Sequence, residues 1–363
     1  MSFKIHDGVE AAIARFELPE TLGFGIVLAP VMYSATWENG SWGQRELLPY
    51  GPIEIVPGAR ALHFAEQVFE GMKAYRVGQS NANLFRPKSN YARLSRSAAR
   101  LSMPIVPEEI FMEGIEAVTA ACTKVIPDAA GKSLYLRPFL LGTEPGYAVR
   151  ASNTARFMVI ANPTEVYSTG AMRVMIERKD IRAAAHGTGA AKTGANYAAS
   201  LRASSVAVAN GYTVALWLDP VKGENIEELS GMNLFAVIDG ELHTPPLNDS
   251  ILPGITRDSL LQLAPRLGFR VVERAMPIAE LLADIESGRC SEVFACGTAA
   301  IVTPIGEIGD LGGASSKPSV VNEVAKTLRE ALLGIQERRA PDLFGWVTEV
   351  PGSLQALLSR SPG

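Results

Sequence analysis

The chain has 363 residues, of which 47% are hydrophobic and 20% charged, with a net charge of −4. That length exceeds what one hydrophobic core usually serves, so two domains are expected. Basic and acidic residues are interleaved without a basic run, which argues against nucleic acid or an anionic membrane as the main partner and leaves a small uncharged or mildly anionic ligand.

The first ten residues lack the apolar core and small-residue cleavage site of a signal peptide, and no apolar run approaches the ~18 residues needed to cross a bilayer. A cytoplasmic location follows as the expectation. Cys122, Cys290 and Cys296 are the three cysteines, and His6, His63, His186 and His243 the four histidines. Their spacing supports neither a disulfide framework nor a metal site.

In chain order, residues 25–37 read as a strand, with a turn at Glu38-Asn39-Gly40 and a further extended piece around residues 53–56. Residues 61–76 are ambiguous between strand and helix, and Glu70-Gly71 disfavours a continuous helix. A short strand at residues 83–86 leads into a helix over residues 87–102, with Ser89 or Asn90 as its possible cap. Its arginines at 93, 96 and 100 share roughly one face; for Arg96 and Arg100 a solvated face is the expected reading. A helix over about residues 107–124 and a strand at residues 133–142 follow. In that strand Tyr135 and Arg137 point to the same side. After a strand at residues 156–161, the Pro- and Gly-containing stretch 162–170 is the best linker. The second half begins with a strand at residues 172–176.

Residues 186–201 put Lys192 inside a run of glycine and alanine, with a helix from Asn196 to the stop signal Asn210-Gly211. Three readings of Lys192 compete at this point. It is an exposed loop lysine, the commonest fate of such a residue; or part of a phosphate loop, although Ala191 stands where that pattern needs glycine; or an amine in an apolar pocket that forms a Schiff base with an aldehyde. Strands are then expected near residues 213–218, 225–229 and 233–239, with a turn at Asp239-Gly240 before Leu242-His243. Next come a helix at 256–267, a strand at 269–273, a helix near 278–285, strands near 292–296 and 301–303, and a long amphipathic helix at 319–337. Helices and strands mix in both halves without internal repetition, so the fold class is α+β in two domains.

An aldehyde cofactor on Lys192 requires an anion site for its phosphate, an acid beside its ring nitrogen and a donor beside its ring oxygen. The helix opening at Thr256 offers free N–H groups and a hydroxyl, and Thr298 offers a second hydroxyl. Glu228 stands in a segment otherwise suited to burial, so it either faces solvent or answers a cation. Tyr197 follows Lys192 closely enough to reach the same ring. Simple capping, a tight turn and a core tyrosine are the plain alternatives.

These residues, with the motifs QVFEGMKAYR (67–76), LFRP (84–87), LYLRP (134–138), GTGAAK (187–192), LPGIT (252–256) and GTA (297–299), resemble the branched-chain amino acid aminotransferases, pyridoxal-phosphate enzymes of fold type IV. The resemblance implies a two-domain fold type IV architecture, with a smaller N-terminal domain over residues 1–164, a linker at 165–175 and a larger domain over 176–363 that carries the Schiff-base lysine. It implies pyridoxal 5′-phosphate as cofactor, with Lys192 as the Schiff-base lysine, Tyr197 at the ring oxygen and Glu228 at the ring nitrogen. Arg93 is implied to grip the phosphate, together with Ile255, Thr256 and Thr298. Phe64, Phe69, Tyr135 and Tyr167 are implied as the aromatic wall around the substrate side chain, Arg137 as the acceptor of the distal carboxylate of glutamate, and the amides around Thr298 and Ala299 as the cradle for the α-carboxylate. The implied reaction moves the amino group of L-leucine, L-isoleucine or L-valine to 2-oxoglutarate by ping-pong kinetics, in a homodimer.

The chain departs from close relatives in reading Gly194-Ala195 where they have two glycines, in lacking an aromatic after Tyr167, and in lacking the redox cysteine pair of mammalian members. These departures bear on side-chain preference. A D-amino acid aminotransferase or an aminodeoxychorismate lyase of the same fold is the alternative, disfavoured by the block from Phe69 to Arg76. A phosphate-loop nucleotide-binding protein is the rival from another class.

Overall fold

A computed structural model describes residues 3–78, 80–166, 170–318 and 321–359. The chain divides into two compact units, one formed by Met1–Tyr167, Ala191–Gly194 and Leu333–Gly363, the other by Ser168–Ala190 and Ala195–Leu332. Among the described residues each is built on a nine-stranded sheet, antiparallel but for one short pair in the first unit and mixed in the second, where three pairs are parallel.

In the first unit the strand order is Lys4–Ile5, Ser41–Pro49, Val31–Glu38, Thr154–Thr164, Ser133–Gly142, Met72–Val77, Asn81–Phe85 and Val347–Val350, with Gln67–Phe69 also paired to Ser133–Gly142. The turn at Asn39-Gly40 closes a hairpin between Val31–Glu38 and Ser41–Pro49, and both of its residues take positive φ, as a two-residue hairpin turn demands. Residues 53–56 form no strand. The hairpin partner is Ser41–Pro49 instead, in which polar residues interrupt the apolar ones and all but Leu47 stay at least partly exposed. Helix Glu108–Ala121 supplies Ile110, Phe111, Ile115 and Val118 to a core with Tyr33, Ala35, Phe157 and Val159 of the sheet.

The ambiguous stretch resolves into a short helix, Arg60–Phe64, and two strands, Gln67–Phe69 and Met72–Val77. Gly71 lies between the strands because a Cβ there would overlap the hydroxyl of Tyr135. Helix Pro87–Arg100 is not capped by Ser89 or Asn90: it starts from Arg86, in the left-handed region at φ 49°, with Pro87 in the first turn and no side-chain cap. Proline's fixed φ and missing N–H suit that position. Arg93 is buried on this helix while Arg96 and Arg100 are exposed.

In the second unit the order is Ile226–Leu229, Val214–Leu218, Met172–Ile176, Ile301–Asp310, Cys290–Gly297, Asn233–Ile238, Glu241–Thr244 and Val271–Glu273, with Ser315–Ser316 beside Ile301–Asp310. Val174, Leu216, Leu229, Leu234, Val293 and Ile305 centre its core, and helix Ile278–Glu286 adds Ile278, Leu281 and Ile285. The long helix near the C-terminus runs Glu323–Gln336. Among the described residues no helix is long and apolar enough to cross a membrane, and no group of three or more histidine, cysteine or acidic side chains could hold a metal ion.

Candidate active site

In the first unit, the segment carrying Lys192 is laid along strand Gln67–Phe69. The Phe69 N–H donates to the Lys192 carbonyl at 3.0 Å, Thr193 bridges to Val68, and Thr193 Oγ1 donates to the Gln67 carbonyl at 2.8 Å. The Lys192 N–H donates to Ser97 Oγ at 2.9 Å, and that hydroxyl donates to the Arg93 carbonyl at 2.8 Å. Ser97, which the motifs do not single out, thus ties the lysine's backbone to the helix of Arg93. The Lys192 side chain is buried, with Nζ 4.9 Å from the centre of the Phe69 ring. It is not an exposed loop lysine.

Arg93 is 4% exposed and Glu70 not at all, and their pairing is a two-pronged fork: Nε to Oε1 and Nη2 to Oε2, each 2.7 Å. Two charge-assisted bonds fix the guanidinium plane. Glu70 is the partner that sequence reading missed.

Arg137 leans on aromatic faces, its Cζ 4.6 Å from the centre of Phe69 and 5.4 Å from that of Tyr135. Its Nη2 donates to Tyr135 Oη at 3.2 Å, as their alternation along Ser133–Gly142 leads one to expect. Its Nε is buried without a hydrogen-bond partner. Phe24, not singled out from the sequence, stands edge-on to Tyr135 at 4.9 Å. Phe64 is 44% exposed, on the short helix Arg60–Phe64, and its ring neighbour is His63. Phe69, Tyr135 and Arg137 are therefore brought together, Phe64 stands outside that cluster, and Tyr167 lies outside the described residues.

In the second unit Glu228 is 3% exposed, on strand Ile226–Leu229. Its charge is answered by Arg182, Nη2 to Oε1 2.7 Å. Asn233 Nδ2 donates to Oε2 at 3.2 Å, and the Leu252 N–H reaches both oxygens at 3.3 Å. Its neighbour Glu227 points the other way, to Ser250 and Asn248. Burial pushes the Glu227 carboxyl above the usual range, against the hydrogen bonds from Ser250 and Asn248.

Ile255 and Thr256 open helix Ile255–Leu263, where backbone N–H groups have no intrahelical acceptor. Thr298 and Ala299 lie half-buried in the turn between Cys290–Gly297 and Ile301–Asp310. That turn ends at Ile301, a β-branched residue held at φ 61°, a conformation that persists only where its surroundings enforce it. Tyr197 is half-buried in the first turn of helix Gly194–Ala209, and its carbonyl accepts from Ser200 Oγ at 2.8 Å.

The family described as Amino-transferase class IV matches residues 67–308. The chain is 42% identical over 341 residues to the branched-chain-amino-acid aminotransferase of Mycolicibacterium smegmatis, covering 90% of this chain and 92% of that one. It is 40% identical over 337 residues to branched-chain-amino-acid aminotransferase 2 of Bacillus subtilis, covering 92% and 93%. A crystal structure of the branched-chain aminotransferase of Thermoproteus uzoniensis with norvaline is similar at TM-score 0.73 and 26% identity, over 88% of this chain and 99% of that one. So is the branched-chain amino acid aminotransferase of T.th. complexed with N-(5′-phosphopyridoxyl)-L-glutamate, at TM-score 0.70 and 32% identity, over 86% and 97%. Enzymes of this class work with pyridoxal 5′-phosphate. On the family match and on relatives of this identity and coverage, the chain belongs to the class IV aminotransferases, in their branched-chain amino acid group.

Proposed function

We propose that the chain moves the amino group of L-leucine, L-isoleucine and L-valine to 2-oxoglutarate, in the cytoplasm and as a homodimer. The observation that carries the substrate pair is the cluster of Phe69, Tyr135 and Arg137. Two aromatic faces suit an aliphatic side chain, and a guanidinium with a buried, unbonded Nε suits a carboxylate. One pocket must take both in turn. The relative complexed with a phosphopyridoxyl derivative of glutamate supports glutamate as the second amino acid.

The donor set fits pyridoxal phosphate. A buried primary amine, a buried carboxylate already paired with a cation, and a helix start bearing a threonine hydroxyl are the three kinds of group that an aldehyde, a ring nitrogen and a phosphate require. When bound, the cofactor supplies a carbonyl that takes up the amino group and a ring that accepts electrons from the substrate Cα. Lys192 Nζ would hold the cofactor through its aldehyde carbon at rest and, once freed by the incoming amino acid, would carry the proton from the substrate Cα to that carbon. Glu228 keeps a proton on the ring nitrogen, and Tyr197 donates to the ring oxygen. Arg93, Ile255, Thr256 and Thr298 hold the phosphate. The amides near Thr298 and Ala299 orient the α-carboxylate, and Phe64 and Tyr167 extend the apolar wall.

A panel of amino donors with 2-oxoglutarate tests the reading. Turnover of the three branched L-amino acids with parallel-line kinetics is expected. Preference for D-alanine would favour the D-amino acid enzyme of the same fold.

A further inference from the structure

Arg182 belongs to no helix or strand, yet it is only 9% exposed. A buried guanidinium on a loop needs a reason, since removing it from water is costly unless its charge and donors are answered. Its Nη2 serves three acceptors: Glu228 Oε1 at 2.7 Å, the Gly189 carbonyl at 3.0 Å, and the Ser250 carbonyl. Gly189 is three residues before Lys192 in the chain, and a Cβ on it would overlap the Ser250 backbone. The same cation therefore pins the glycine loop, the Ser250 segment and the carboxylate.

We infer that Arg182 is a positioning residue: it keeps the Glu228 carboxylate ionised and in one orientation for the ring nitrogen of the cofactor. The inference rests on the reading of Glu228 given above. Its support is the contrast between two adjacent buried acids. Glu227 is bonded to Ser250 and Asn248, with burial raising its carboxyl and Arg182 only partly offsetting that from a distance, whereas Glu228 has the guanidinium in direct contact. An opposite charge at this range favours the charged carboxylate, and only a charged carboxylate retains a proton on the ring nitrogen as a cation. Asn233 and the Leu252 N–H complete the grip from other sides, so the guanidinium sets both charge and direction.

The competing explanation is that Arg182 merely props the loop through Gly189 and Ser250. A double-mutant cycle separates the two. Arg182→Met, Glu228→Gln and the double variant are made, with Arg182→Lys as a variant that keeps the cation but not the planar fork. Three quantities are read: cofactor affinity from titration of the apoprotein with pyridoxal phosphate, the absorbance band of the bound cofactor, and the thermal midpoint of the apoprotein.

Glu228→Gln and Arg182→Met are each expected to weaken cofactor binding roughly tenfold or more, the scale of one charge-assisted hydrogen bond, and to move the band in the same direction. In the Glu228→Gln background Arg182→Met is expected to add less than about twofold to that loss, and Arg182→Lys to recover part of the affinity, if the two residues act as one unit. An equal loss from Arg182→Met in both backgrounds, tracking the apoprotein midpoint, overturns the inference in favour of a prop. So does a silent Arg182→Met where Glu228→Gln has its effect. An unchanged affinity and band in Glu228→Gln alone overturns the reading of Glu228 itself, and the inference falls with it.

Discussion

Glu70 and Arg93 are both buried and bonded through two parallel 2.7 Å contacts. Removing one member of such a pair leaves a bare charge out of water, so Glu70→Ala is expected to lower the stability of the fold by about 3–5 kcal/mol, measured by denaturant unfolding. Arg137 makes a different kind of contact, resting on Phe69 and Tyr135 with Nε unbonded. Arg137→Met is expected to raise KM for 2-oxoglutarate about tenfold or more while changing that for leucine far less. Equal effects on both substrates would remove the carboxylate role. Arg93, Lys192 and Glu228 could be singled out in the sequence because each stands in a recognisable local pattern, and the structure buries all three. Glu70, Ser97 and Arg182 were not, because their meaning lies in partners 23, 95 and 46 positions away. Glu70 in particular sits in a quoted motif, where its apparent effect was only to disfavour a helix.

The elements themselves follow their local chemistry closely where hydrophobic pattern and turn residues agree. Strand Ser133–Gly142 occupies the expected range, and helix Gly194–Ala209 ends just before the Asn210-Gly211 signal. The pattern fails where pairing is non-local or the strand lies near an edge. Val347–Val350 pairs with Asn81–Phe85 across most of the chain, and Ser41–Pro49 carries too many polar residues to read as a strand. Gly71 marks a close approach between elements, and Gly71→Val is expected to destabilise by about 1–3 kcal/mol through overlap with Tyr135, with a lower thermal midpoint as the check.

The turn between Val214–Leu218 and Ile226–Leu229 is organised by Asp219. Burial alone would push this carboxyl up, but N–H groups of Asn225, Lys222, Glu224 and Val221 outweigh it and hold it down at about 2. A depressed folded-state value stabilises the fold above the ordinary aspartate value of ~3.9 and loses that contribution as pH falls through the folded one. Asp219→Ala should therefore cost about 1–3 kcal/mol at neutral pH. The gap from the parent should narrow as pH falls from ~4 through about 2, as the parent's own carboxylate becomes protonated. A gap independent of pH would show that the lost hydrogen bonds do not depend on the charge.

At the scale of the whole chain, two sheet-based units of mixed α/β structure carry the residues that the family resemblance names, and the mixing of helices and strands was enough to place the chain in the α+β class. The three buried cysteines have their thiols pushed up to about 12, in each case chiefly by burial. No thiolate chemistry is expected of them near neutral pH, and treatment of the folded protein with a thiol reagent should leave activity unchanged. The proposed homodimer is checked by sedimentation at micromolar concentration.

The most direct test is to reduce the protein with borohydride in the presence of pyridoxal phosphate, digest it, and locate the label by mass spectrometry. A single pyridoxyl group on Lys192, lost along with transamination in Lys192→Ala, is the expected result. A label on another lysine, or full activity without Lys192, would contradict it.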